Sequence, residues 1–284
     1  MNEYRDLEIL GAGKQPGGRF GKVLIAGAGK LVGSVECEEF SVPGSGKVED
    51  GDLIVHGPLS CYGAVKVEGR AEAETLAVFG SFSAAGPCEI RGDAEVAGSL
   101  KVEGPCTVTG KSSVEGSMKV EGGLQAAQLR VTGSLKTEGL LKAEEIEIEG
   151  ILKAEAAVEA ETFRAVGPVK IEGELNAGTV ELILGGEDSI ESIVGGSVTV
   201  RRAESSVFRV FTRREDGGLR FGRSRPHLQA ELIEADEIDL EYTDCRIVRG
   251  VNVHVGPECV IDRVEYSGTL TTDAHCAIGE KVKL

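Results

Sequence analysis

The sequence predicts an all-β fold, a three-sided parallel β-helix (solenoid) with about 17–18 residues in each coil. Three observations predict it. Glycines recur every six residues at eight consecutive positions, from Gly80 to Gly122. A valine or isoleucine usually stands two residues before each glycine, as Val102 and Val108 do. No window carries the 3.6-residue apolar stripe of an amphipathic helix over any length.

Each six-residue unit reads apolar-x-apolar-x-Gly-x, which is a period of two within a short strand followed by a corner. The apolar side chains should therefore face the interior, and the residues between them should face solvent. We expect glycine at the corner because it adopts a positive φ without a Cβ clash. The valines and isoleucines two residues before a glycine are Val55, Val67, Val78, Ile90, Val96, Val102, Val108, Val114, Val120, Val131, Ile148 and Ile171.

The six-residue spacing shortens by one residue at intervals, and this shortening sets the length of a coil. Steps of 6, 6 and 5 residues make a 17-residue coil, which is the spacing from Gly63 to Gly80 and from Gly116 to Gly133. Such coils pair with one another at about 4.8 Å. Segments reading KVEG place Lys and Glu on the outer face, where mixed signs relieve repulsion between stacked coils.

In chain order, the pattern divides the protein into five segments. We expect a flexible N-terminal tail at 1–18, the β-helix at 19–200, an Arg-rich insertion or loop at 201–227, a continuation of the β-helix at 228–279 and a C-terminal tail at 280–284. The apolar spacing resumes after the insertion.

Composition argues against several classes of partner and site. The net charge of -16 disfavours nucleic acid and anionic lipid as partners of the chain as a whole. The N-terminus lacks a basic segment followed by an apolar one, and no apolar run approaches the ~20 residues of a membrane helix, so we expect a cytoplasmic protein. The seven cysteines include no C-x-x-C pair, so we expect reduced thiols, with Cys61, Cys88 and Cys106 at interior positions.

Gly110-Lys111-Ser112 looks like the end of a phosphate-binding loop, but the spacing argues against a nucleotide site. That loop needs the spacing G-x-x-x-x-G and a helix behind it, whereas five residues separate Gly104 from Gly110. We therefore expect Lys111 and Ser112 at a corner and on the outer face. The four histidines form none of the usual metal or nucleophile motifs. The sequence thus predicts no enzyme activity, catalytic residue, metal, cofactor or nucleotide.

One segment breaks the acidic composition of the chain. Residues 201–226 hold eight arginines against three acidic residues, together with three of the eight phenylalanines. One interpretation is a long hairpin or mobile loop. The other is a docking arm that uses Arg201, Arg202, Arg213 and Arg214 to bind an acidic protein, a membrane surface or a neighbouring copy.

The two ends of a β-helix carry unpaired N–H and C=O groups and open apolar surfaces, which either need a cap or pair with another copy. No amphipathic capping helix is evident at either end of the sequence. We therefore expect an end-to-end homopolymer. Its contacts are predicted in the N-terminal coil at Phe20, Val23, Leu24 and Ile25, and in the C-terminal coil at Ile261, Val264, Leu270 and Ile278.

The glycine corners from Gly57 to Gly173, with the segments VECEEFSVPG and AEAETLAVFG, resemble those of bactofilins, the polymer-forming cytoskeletal proteins of bacteria. The stretch AELIEADEIDLEYTDCRIVRGVNVHVGPECVIDRVEY is similar to the long variant of Bacillus-type relatives, and the resemblance covers most of 18–279. It implies a right-handed β-helix that assembles end to end into filaments without nucleotide. Such filaments are scaffolds that localise partner proteins involved in cell shape, the envelope or motility. A second bactofilin can co-assemble with them, and partner proteins can attach them to membranes.

Two other classes of function stay open. Hexapeptide-type acyltransferases share the six-residue rhythm but place an aliphatic residue directly before the glycine-like position, where this chain has Glu103, Thr109 and Glu115. A transferase predicts trimers and binding of an acyl donor. A monomeric β-helix binding module predicts a stable monomer and, normally, a secretion signal.

Overall fold

The computed structural model of the protein describes residues 4–203, 212–213, 219–220 and 226–284. These residues form a parallel β-solenoid with about 17 residues per turn and contain no helix. The predicted all-β solenoid is therefore confirmed. The chain divides into two compact units, residues 1–145 and 146–284.

The first unit is built mainly from short strands that end at glycine corners. Its strands are β1 (Leu7–Ile9), β2 (Ala12–Ile25), β3 (Ala28–Val42), β4 (Ser45–Glu49), β5 (Leu53–Val55), β6 (Pro58–Cys61), β7 (Ala64–Val67), β8 (Ala71–Ala73), β9 (Thr75–Val78), β10 (Ser81–Ala84), β11 (Cys88–Ile90), β12 (Ala94–Val96), β13 (Ser99–Val102), β14 (Cys106–Val114), β15 (Ser117–Val120), β16 (Leu124–Val131), β17 (Ser134–Thr137) and β18 (Leu141–Lys142).

The second unit uses longer strands that continue around the corners. Its strands are β19 (Glu145–Ile148), β20 (Ile151–Ala154), β21 (Val158–Gly167), β22 (Val169–Leu184), β23 (Glu187–Arg202), β24 (Thr212–Arg213), β25 (Leu219–Arg220), β26 (His227–Leu240), β27 (Thr243–Val255), β28 (Val260–Tyr266), β29 (Leu270–Thr272) and β30 (Ala277–Lys283). Strands β24 and β25 form a separate antiparallel pair.

Parallel pairing between successive turns sets the register within each unit. In the first unit, Ser81 lies beside Ala64 and Ser99, which are 17 and 18 residues away. The predicted 17-residue coil is thus confirmed, and coils of 18 and 19 residues also occur in this unit. In the second unit, Ile193 lies beside Ile233, 40 residues further on, because the Arg-rich segment is inserted into this turn.

The interior consists of the side chains that alternate inward along every strand. Most are Val, Leu, Ile and Ala, and among the described residues three phenylalanines are large, fully buried side chains: Phe40, Phe82 and Phe163. Cys61, Cys88 and Cys106 are buried as the sequence predicted. Burial raises the pKa of the Cys61 thiol to about 11, so it is protonated and packs as a small apolar group.

The corner glycines are required for a reason other than the one expected from the sequence. Among the described glycines, a positive φ occurs only at Gly18, Gly33 and Gly167. At Gly80 and Gly98, a Cβ atom would instead overlap the carbonyl oxygen of the glycine one turn earlier. Glycine is needed there because stacked corners approach too closely for any side chain, so the expectation of a positive φ was wrong for most corners.

Two boundaries differ from those expected. Strand β1 begins at Leu7, and Leu7 and Ile9 are buried beside Val23 and Ile25, where the sequence predicted a tail through residue 18. At the other end of the chain, β30 runs to Lys283 rather than stopping before 280. In both places the chain continues in register with the preceding or following turn, so its backbone groups are paired.

Candidate functional site

The segment that looks like a phosphate-binding loop lies within β14 and holds no free phosphate cradle. The N–H of Gly110 donates to the carbonyl of Gly92 at 3.0 Å, and the N–H of Lys111 donates to Oδ1 of Asp93 at 2.8 Å. These donors are therefore already used by the neighbouring turn. Ser112 was expected on the outer face, but it points inward and is 1% exposed, so that expectation was wrong.

A hydroxyl, an imidazole and a carboxylate stand in register on three successive turns of the second unit. His254 Nδ1 lies 2.8 Å from Thr271 Oγ1, and His254 Nε2 lies 3.9 Å from Asp239 Oδ1. The second distance exceeds a hydrogen bond, so the carboxylate does not fix the tautomer of the ring as a nucleophile relay requires. Across the described residues, no group of three or more His, Cys, Asp or Glu side chains could hold a metal ion.

Only some of the predicted N-terminal polymer contacts lie in the terminal turn of the first unit. Val23 and Ile25 are fully buried beneath β1, one turn inside, while Leu24 between them is half-buried. Phe20 belongs to the terminal turn, where it is half-buried beside Cys37. Strand β1 pairs with β2 alone among the described strands, so its other edge is open.

At the end of the second unit, Ile261 and Val264 are likewise one turn inside and buried beside β30. Ile278 and Leu270 belong to the terminal turn and are half-buried. Strand β30 pairs with β28 alone among the described strands, so it is an open edge. Leu270 stands on β29, which pairs with β27.

Sequence reasoning missed polar side chains at the interior positions of both terminal turns. Exposed Gln15 is in register with buried Leu31. At the other end of the chain, exposed Thr272 is in register with Val255, and exposed Lys281 with Val264. The alternation in LEI at 7–9 could have revealed the first turn, because Leu7 precedes Val23 by one coil. The terminal surfaces are thus less apolar than expected.

The predicted docking arm lies mostly outside the described residues. Arg214 is outside them, and Arg213 is described only as a backbone position of β24, paired with Leu219. Arg201 places Nη2 2.9 Å from Oδ2 of Asp239, and this contact raises the pKa of the guanidinium. The guanidinium carbon of Arg202 lies 5.2 Å from the centre of the Tyr242 ring, a cation–π contact.

A buried carboxylate lies next to the turn that contains the insertion. Asp188 is 3% exposed, at an interior position between Val169 and Leu228. Its Oδ1 accepts the N–H of Val169 at 2.6 Å, whereas Oδ2 has no hydrogen-bond partner among the described residues. Burial raises the pKa of Asp188 to about 6, against backbone hydrogen bonds that act to lower it.

The outer face of the first unit carries the Lys and Glu ladder that the KVEG segments predicted. Lys119 Nζ lies 2.7 Å from Glu121 on its own strand and 3.3 Å from Glu138 one turn further on. The hydrogen bonds from Lys119 and Lys101 lower the pKa of Glu121. These groups keep about a third of their side-chain surface in solvent, so each pair contributes little stability, and the ladder mainly prevents like charges from stacking.

Comparison with known proteins places the chain near two proteins of Bacillus subtilis. It is 34% identical to the uncharacterized protein YhbF over 110 residues, which is 38% of this chain and 41% of YhbF. It is 47% identical to the uncharacterized protein YhbE over 60 residues, 21% of this chain and 25% of YhbE. The matches thus span less than half of each relative.

No known protein-family profile matches the chain. No solved structure matches the chain. No helix among the described residues is long and apolar enough to cross a membrane. The findings therefore establish a β-solenoid protein with partial similarity to uncharacterized Bacillus proteins.

Proposed function

We infer that this protein is a bacterial scaffold that assembles end to end into filaments without nucleotide, in the manner that its resemblance to bactofilins implies. The observation that carries the proposal is the open parallel edge of each terminal turn, β1 in the first unit and β30 in the second. A second copy can extend either ladder at the same spacing of about 4.8 Å, with no new fold required.

The chemistry of the terminal turns indicates how such a contact would be stabilised. Ile278 and Leu270 are half-buried and would lose their remaining exposure against another copy, as would Phe20 at the N-terminal turn. Gln15 and Lys281 stand at interior register positions and would need polar partners across the contact. Backbone hydrogen bonds would therefore carry much of the affinity, and these polar residues would select the register.

The resemblance to bactofilins also supports a proposal about location and partners. The protein would act in the cytoplasm, hold no catalytic site, and localise partner proteins, a second bactofilin among them. The Arg-rich segment would supply a contact for an acidic protein or membrane surface, although Arg201 and Arg202 already contact Asp239 and Tyr242. The Lys and Glu ladder supports a structural role, since it is regular over several turns and does not converge on one point.

Electron microscopy of the purified, nucleotide-free protein tests the proposal. We expect filaments with the wild-type chain and soluble particles with Ile278→Glu, because this change buries a charge in the contact. Val260→Glu is the matched control. Val260 is 52% exposed on β28, one turn inside the terminal strand, so the variant should still form filaments.

Two outcomes would overturn the proposal. Discrete wild-type particles at all salt concentrations would exclude self-assembly by this chain, and trimers that bind an acyl donor would then favour the transferase. Filaments of Ile278→Glu that match those of the wild type would exclude the contact at β30. Circular dichroism of each variant shows whether the β-fold is kept.

A further inference from the structure

One corner of the first unit carries a continuous line of exposed apolar side chains, which we name the corner ridge. It has one member on each of six successive turns, and the members are in register because the strands beside them pair in parallel. All six are exposed. They are Leu10, Ala26, Pro43, Tyr62, Phe79 and Ala97.

The centre of the corner ridge is a pair of stacked aromatic rings. The ring centres of Tyr62 and Phe79 are 5.3 Å apart and the planes differ by 8°. Tyr62 is 57% exposed and Phe79 is 45% exposed, although aromatic residues make up only 4% of the chain. The fold does not require this exposure, since the same corner carries Glu115 and Thr132 on later turns.

Along the four central turns, the rows on both sides of the corner ridge consist of small side chains apart from Leu24. One flank is exposed and the other is half-buried. The first holds Ala28, Ser45, Ala64 and Ser81, and the second holds Ser41, Ser60 and Ala77. The large side chains of Tyr62 and Phe79 stand between two rows of small ones, and each can pack against a small row of a second copy, so the surface can be complementary to itself.

Charge distinguishes this corner from the rest of the protein. Over the four turns from Leu24 to Ser81, the ridge and its two flanking rows contain no charged side chain, on a chain that is 27% charged with a net charge of -16. Two copies that meet here bring no like charges into contact. An anionic lipid surface is disfavoured as the occupant, because the rest of the acidic chain would be repelled from it.

We propose that the corner ridge is a lateral contact between two copies of this chain, separate from the end-to-end contact proposed above. Six turns at about 4.8 Å give a ridge roughly 24 Å long, so the surface is well below the ~800 Å² per partner of a stable complex. Single chains should therefore pair weakly. Copies joined in a filament would repeat the ridge at fixed intervals, and the weak contacts would add by multivalency.

Sedimentation velocity over about 1 µM to 1 mM tests the proposal with the Ile278→Glu chain, in which the end contact is blocked. We expect weak concentration-dependent dimers, and at least a tenfold weaker association when Tyr62→Ser and Phe79→Ser are added. Leu140→Ser is the control, since Leu140 is also exposed, at 41%, on the first unit but outside the corner ridge. This variant should associate as its parent does.

The result does not depend on whether filaments form. If the wild-type chain makes no filaments, it replaces the Ile278→Glu chain as the parent, and the ridge variants are compared with it. A parent that stays monomeric over the whole range overturns the lateral contact, as do dimers that the serine variants leave unchanged. Vesicle binding that needs Tyr62 and Phe79, from a monomeric parent, would instead assign the ridge to a lipid surface.

Discussion

In the first unit, β4–β13 are three to five residues long and end at sharp corners, whereas β22 and β23 in the second unit each run for 16 residues. The first unit holds 25 of the 40 glycines. Stacked corners in the first unit approach so closely that only glycine fits, as at Gly98. In the second unit longer strands continue around the corners and glycine is less frequent, although an added Cβ would still overlap the carbonyl oxygen of Ala177 at Gly195.

The two units also differ in the polar groups that they bury. Among the described residues both units bury hydroxyls, at Ser112 and Thr137 in the first and at Thr243 in the second, but only the second unit buries a carboxylate, that of Asp188. The second unit also holds Glu265 between Arg249 and Arg263, at 2.7 and 2.8 Å. A regular glycine repeat therefore accompanies a nearly uniform apolar interior, and the interior becomes chemically more varied where the repeat is weaker.

The largest effect should come from a methyl group at a tight corner. Gly98→Ala places Cβ against the carbonyl oxygen of Gly80, and we expect the free energy of unfolding to fall by about 3 kcal/mol, at the upper end for overpacking. Urea unfolding measures it. Gly11→Ala is the control in the same unit, because no atom lies within 4 Å of its added Cβ.

Gly186→Ala extends the comparison to the second unit. Its added Cβ would meet only the Pro168 side chain, at 3.5 Å, so this variant should keep wild-type stability. Equal losses in Gly98→Ala and Gly186→Ala would mean that the close approach of the added Cβ to backbone atoms does not set the cost of the substitution.

The next largest expected effect is the change with pH in the free energy of unfolding that Asp188 causes. The pKa of Asp188 is raised to about 6 from 3.8, so the unfolded chain releases this proton at lower pH than the folded chain does. The contribution of Asp188 to stability is therefore full below about pH 4 and is lost as the pH rises to about 6, a change of about 3 kcal/mol.

Asp188→Asn should remove that pH dependence and make the protein more stable than the wild type at pH 7, because the uncharged amide can still accept the N–H of Val169. Denaturant unfolding at pH 4, 5, 6 and 7 measures both chains. Exposed Asp236→Asn is the control and should follow the wild-type curve. A wild-type curve without this fall would mean that water or a nearby charge stabilises the buried carboxylate.

The smallest expected effect is a difference in the free energy of unfolding between variants of the two buried hydroxyls of the first unit. Ser112 Oγ has no hydrogen-bond partner among the described residues, so Ser112→Ala should raise the free energy of unfolding by about 1 kcal/mol. Thr137 Oγ1 donates to the carbonyl of Gly139 at 3.0 Å, so Thr137→Val should lower it by a similar amount. Thermal unfolding compares them, and changes of the same sign would contradict this distinction.

The repeat in the sequence was enough to predict the solenoid, its coil length and the inward-facing residues, because a period of two and a regular corner leave one way to bury Val102 and Val108. The Lys and Glu ladder followed for the same reason, since each Lys and Glu of a KVEG segment flanks an inward valine. The resemblance to bactofilins carried the filament proposal, which stays a prediction.

Tertiary structure alone decided several other points. The glycine corners owe their composition to contact between turns at Gly80 and Gly98, which no single coil reveals. Ser112 turned out to be interior because its register is set by Ala94 and Leu129 on the adjacent turns. The alignment of Tyr62 with Phe79 likewise depends on the number of residues in the intervening coil.

The difference between what the sequence determined and what the tertiary structure decided has a physical reason. Which way a side chain points within one strand follows from local periodicity, and the sequence by itself determined this for most of the chain. Contacts between residues that are 15 to 40 positions apart in the sequence depend on the number of residues in the strands and corners between them. A single inserted residue therefore changes every pair in that turn. Only the folded structure decided those contacts, and with them the exposed ridge and the buried carboxylate.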